Sequence, residues 1–124
     1  MITEDYVSFE IAKLLKEKGF NGLCTAYYDC FTTDNFHCGN EPTDFNSIDT
    51  KIRDIVAAPT LQMAMKWLRE VYGLFIRITE DVTGNVFEWS VYQKNYGCKA
   101  STYVEDSYEQ ACEAAIKYCL ENLI

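Results

Sequence analysis

An α+β fold, an antiparallel sheet with helices packed on it, follows from three observations. Residues 60–72 and 108–122 carry apolar side chains at helical spacing, with capping residues at their ends. Between them, residues 74–104 alternate apolar and polar side chains, the period of half-buried strands. A further helical stretch opens the chain at 3–18. The predicted order is α-β-β-α-β-β-β-α in a single domain over 1–124, with an α/β/α sandwich as the arrangement.

The first helix, 3–18, takes Thr3 as N-cap, with Glu4 and Asp5 in the turn where the helix dipole favours anions. Val7, Ile11, Leu14 and Leu15 form its buried stripe. Gly19 supplies the left-handed stop, and Phe20 folds back onto the helix end. Residues 24–38 read as a strand and hairpin. Cys24–Thr32 is rich in β-formers, Thr33-Asp34-Asn35 is a turn signal, and Phe36-His37-Cys38 returns. Gly39 to Asp44, with Pro42 inside it, breaks regular structure. Residues 47–57 suit either a helical turn or an edge strand around Ile52 and Ile55.

The helix at 60–72 is the centre of the plan. Pro59 disfavours helix at Ala58, and Thr60 can cap. Leu61, Ala64, Met65, Leu68 and Tyr72 make its stripe, with Trp67 and Val71 widening it. Gly73 ends the helix, and a strand begins at once. In the meander over 74–104, Leu74, Ile76 and Ile78 share a face with Phe87, Trp89 and Val91. That parity demands an even loop, which Thr83-Gly84 or Gly84-Asn85 can centre. One register pairs Ile78 with Val91. The opposite face then carries Phe75, Arg77 and Tyr92, and Tyr103 is grouped with them. Ser107 and Gln110 form a capping box for the last helix, 108–122. Its stripe runs through Ala111, Cys112, Ala115, Ile116, Cys119, Leu120 and Leu123.

The remaining question is what covers Phe75, Tyr92 and Tyr103. Either the first helix and the hairpin lie over them, which completes the sandwich, or they are an interaction face. These three are the candidate site residues.

Composition excludes several function classes. A net charge of −8 opposes nucleic-acid phosphates and favours basic partners. The order helix–strand–strand–strand–helix is also that of the double-stranded RNA-binding domain. Here, however, Asp106-Ser107-Tyr108-Glu109-Gln110 puts acids where lysines are required, so that function is rejected. No apolar run approaches a membrane span, and the N-terminus does not read as a signal peptide. The six cysteines are therefore read as reduced thiols. A metal site drawn from Cys24, Cys30, His37 and Cys38 lacks a clamp spacing, and no catalytic, cofactor or metal residue is assigned. A thiolate of Cys38 or Cys30 paired with His37, the sole histidine, is the form an enzyme would take.

Three segments carry a resemblance: Ser8 to Phe20, Ala58 to Glu70, and Tyr108 to Leu120. They resemble small proteins encoded by phages and prophages of gut anaerobic bacteria. That group is similar to the phage ABA (α/β/α) sandwich domain family. The resemblance implies a sandwich fold and a phage or prophage origin. It carries no catalytic residue. The expectation is a non-enzymatic accessory protein in the cytoplasm of a host bacterium, acting by protein–protein binding. Its partner would be a host or phage protein, or a second copy in a homodimer, with no cofactor, nucleic acid or membrane. The alternatives are an acidic inhibitor or nucleic-acid mimic aimed at a host enzyme, and a small Cys/His hydrolase.

Overall fold

The structure, a computed structural model, describes residues 4–31 and 35–124, with the side chains of 35 and 100–103 outside the description. It is an α+β fold in which helices pack on antiparallel sheets. The chain divides into two compact units, Met1–Thr60 and Leu61–Ile124, each with its own three-stranded sheet.

The first unit holds helix α1 (Phe9–Glu17) and strands β1 (Cys24–Asp29), β2 (Asn35–Thr43) and β3 (Ile55–Ala57), in sheet order β2-β1-β3. Helix α1 starts six residues later than the 3–18 reading (9 against 3) and ends at Glu17. Its cap is Ser8, whose Oγ accepts from the Ile11 N–H at 3.3 Å; Thr3 lies outside the described residues. The reason is long-range pairing. Tyr6 bridges to Thr60, and the Val7 N–H donates to the Pro59 carbonyl at 3.0 Å. Backbone groups committed there are not available to a helix. The helix end is as expected. Gly19 sits at φ +89°. The Gly19 N–H donates to the Lys16 carbonyl and the Phe20 N–H to that of Leu15, which folds Phe20 into the core.

Strand β2 runs through Gly39 and Pro42, where the sequence suggests a break. β2 is an edge strand, and an edge tolerates a residue with no N–H to donate. The pairing also slips: Ala26 faces Cys38 but Cys24 faces Thr43, so β2 holds extra residues there. Of the turn expected at 33–35, residues 33 and 34 lie outside the described residues and Asn35 opens β2. Of the two readings of 47–57 the edge strand forms: β3 pairs with β1 as the other edge, adding a strand to the predicted order, and the 3-10 turn lies before it, at Phe45–Ser47. Ile52 is exposed.

The second unit holds α2 (Leu61–Tyr72), β4 (Leu74–Glu80), β5 (Phe87–Gln93), β6 (Gly97–Glu105) and α3 (Tyr108–Asn122), in sheet order β4-β5-β6. Both helices pack on the sheet and against each other. Helix α2 buries Leu61, Ala64, Met65 and Leu68. Val71, assigned to widen that stripe, is 58% exposed instead: it lies outside the narrower band that touches sheet and α3. Gly73 takes φ +67°, closing the helix with its N–H on the Arg69 carbonyl, and its own carbonyl accepts from Lys94 at the end of β5. Helix α3 has the predicted bounds. Ser107 Oγ accepts from the Gln110 N–H at 3.1 Å, and Ala111, Cys112, Ala115, Ile116, Cys119 and Leu120 are all fully buried. Trp89 joins this core, its ring 5.6 Å from that of Tyr118.

Ile76 faces Val91 and Ile78 faces Trp89, so the two apolar rows share the helix side. The register is two residues away from the pairing of Ile78 with Val91. It is the one centred on Thr83-Gly84, because Asp81 organises the turn. The Asp81 carboxylate accepts from the Thr83 N–H, the Thr83 hydroxyl and the Gly84 N–H at 2.7–3.0 Å. Those bonds, the Thr83 hydroxyl first, hold its carboxyl below the ordinary carboxylate range.

Candidate functional site

Strand alternation builds the site. With the even residues of β4 and the odd residues of β5 turned to the helices, Phe75, Arg77 and Thr79 fall on the other face with Glu88, Ser90 and Tyr92. Phe75 lies directly across from Tyr92. Phe75 is 43% exposed. The Arg77 guanidinium rests 5.0 Å from the centre of the Tyr92 ring, a cation–π contact that half-buries the tyrosine. On β6, Cys98 pairs with Tyr92 and Val104 with Glu88, which brings a 53% exposed valine to the same face.

Tyr103 is placed differently. Backbone register sets it opposite Trp89, whose side chain is in the core, and its own side chain lies outside the described residues. Strand β6 holds one extra residue opposite Trp89–Val91 and another opposite Val91–Tyr92, and the two shifts together restore the parity.

The meander is electrically polarised. At the end where β5 turns into β6 lie Lys94 and Lys99, with Arg77 stacked toward that end on Tyr92. Lys99 also sits over the ring of Tyr96, which is 74% exposed. The other end holds Glu80, Asp81, Glu88, Glu105 and Asp106. Sequence reading finds Phe75, Arg77 and Tyr92 but not Val104, Lys94 or Lys99. The turn at Asn95-Tyr96-Gly97, with Asn95 at φ 70° and Gly97 at φ 83°, is the signal that sets where β6 begins.

The cysteines and the histidine do not assemble. His37 and Cys38 are consecutive on β2 and so point to opposite faces. His37 stacks on Tyr27 at 5.0 Å, whereas the Cys38 sulfur lies 3.6 Å from the Tyr6 hydroxyl. Burial, then the charge of Asp54, raises the Cys30 thiol, which opposes a thiolate. Cys24 is buried and is pushed up to about 11 by burial and then by Asp44. Among the described residues, no three His, Cys, Asp or Glu side chains gather as a metal site. The first unit also has a shallow cleft of about 280 Å³ lined by Lys16, Phe20, Asp44 and Asn46 among others. Of its polar groups, the Lys16 ammonium donates to the Ile55 carbonyl and Asn46 ties the Phe20 carbonyl to the Ala57 N–H, while the buried Asp44 Oδ1 has no hydrogen-bond partner among the described residues.

Among the described residues, no helix is long and apolar enough to cross a membrane. Comparison of the chain with family models, with curated proteins and with solved structures finds no match.

Proposed function

We propose that this chain is a non-enzymatic accessory protein that binds another protein through the outer face of β4-β5-β6. The carrying observation is that Phe75 and Val104, at opposite corners of this face, are both exposed, and that the face also holds Tyr92 under Arg77. Exposed aromatic and arginine side chains side by side are the composition of interface hot spots. The resemblance of three segments to phage and prophage proteins favours an origin there, and with it the cytoplasm of a host bacterium.

The experiment is capture from such a host with the whole chain as bait, run beside Phe75→Ser and Tyr92→Ser. A partner held by the parent chain and lost by both variants, which keep the parent's circular dichroism and melting cooperativity, supports the reading. A partner retained by both variants removes this face as the site.

A further inference from the structure

We infer that the protein seated on this face is a second copy of the same chain, related by a twofold axis. The inference rests on the reading above and names the partner. Its ground is self-complementarity. Arg77, level with Ser90, leans over Tyr92 toward the end where Lys94 lies, and Glu88 stands toward the other end of the same face. A twofold axis running across the strands through Ser90 carries each position n of β5 onto 180 − n, so Tyr92 of one copy meets Glu88 of the other. The Arg77 guanidinium already lies on that Tyr92 ring. It is therefore offered to the partner's carboxylate twice, once in each direction, as an isologous interface requires. The same rotation lays Phe75 over the partner's Thr79 and sets the two Arg77 backbones level, their guanidinium groups leaning apart over their own Tyr92 rings. Two sheets stacked this way follow the aligned packing of sheet on sheet.

Three short strands make a small interface, so association is weak and reversible. Each copy also carries a charge of −8, and physiological salt screens that repulsion beyond roughly 8 Å while leaving close contacts.

The test is sedimentation equilibrium of the whole chain with reductant, at about 0.15 M salt, up to millimolar concentration. The wild type should rise from the mass of one chain toward that of two. Arg77→Glu and Glu88→Lys should each weaken association at least about tenfold, because like charges then face each other twice. Mixed in equal amounts, the two variants should associate as well as wild type, since every contact again joins opposite charges. Both positions are exposed, and an unchanged melting temperature confirms that each variant folds. A wild type that stays monomeric overturns the inference. So does a dimer indifferent to both substitutions, or a mixture that fails to recover. A monomeric wild type whose captured partner is lost on Phe75→Ser would overturn the second copy but leave the binding face standing.

Discussion

Phe75 and Tyr92 face each other across β4 and β5, yet among the described residues only Tyr92 of the two has a cation, Arg77, laid on its ring. The two should therefore respond differently to loss of the ring. Phe75→Ser removes an exposed side chain and should change stability by no more than about 0.5 kcal/mol. Tyr92→Ser also removes the platform under Arg77 and should cost about 0.5–1 kcal/mol. Urea titration of both variants measures this. Equal losses of several kcal/mol would mean that both rings are core.

The helix faces give a sharper contrast. Leu68 and Ile116 are fully buried, and truncation of either to alanine should cost about 2–5 kcal/mol. Val71, one helical turn from Leu68, is largely exposed, and Val71→Ala should stay within about 0.5 kcal/mol. The shift in urea midpoint reports all three. A costly Val71→Ala would put the buried stripe of α2 in the wrong place.

Six reduced thiols should separate by reactivity. Cys38 and Cys98 are exposed and should be alkylated first, while Cys24, Cys112 and Cys119 should react only as the chain unfolds. Mass-resolved iodoacetamide labelling at neutral pH tests the order. Burial also pushes Cys119 up to about 12 and, with Asp44, Cys24 up to about 11, from an ordinary value of 9.0. The folded state holds these protons more tightly than the unfolded chain. Their contribution is complete below 9.0 and is lost as pH rises through about 11 and then about 12. Stability should fall in that alkaline window, and less so in Cys119→Ala after allowance for its lower starting value.

Asp81 has the opposite sign. Its carboxylate accepts three bonds in the β4–β5 turn and titrates below its ordinary 3.8. The stabilisation is present above that value and is lost as pH falls through the lower folded one. Asp81→Ala should lower the melting temperature at neutral pH, and the gap to wild type should close in strong acid. A gap that is constant with pH would assign the effect to something other than the ionised carboxylate.

What the sequence reveals follows the range of the forces involved. Helix α3 is legible to the residue because its cap, Ser107 with Gln110, and its alanine-rich stripe are local. The even loop between β4 and β5 is legible from parity, and so are Phe75 and Tyr92. The register is less so, because it depends on which of two turns Asp81 selects. The start of α1 is hidden, since Tyr6 and Val7 are claimed by Thr60 and Pro59, over fifty residues away. Strand β3 is three residues long and gains its strand character from pairing with β1. The two register shifts of β6 against β5 leave no mark in its own alternation.

Gly73 joins α2 to β4 with nothing on either side to take up slack, and its carbonyl is tied to Lys94. One residue inserted after it would be transmitted along β4 as half a pleat. Leu74, Ile76 and Ile78 would turn outward while Phe75 and Arg77 turned toward the helices. The joint thus works as a phase setting for the strand, and the same chemical letters shifted by one step would build a sheet turned inside out.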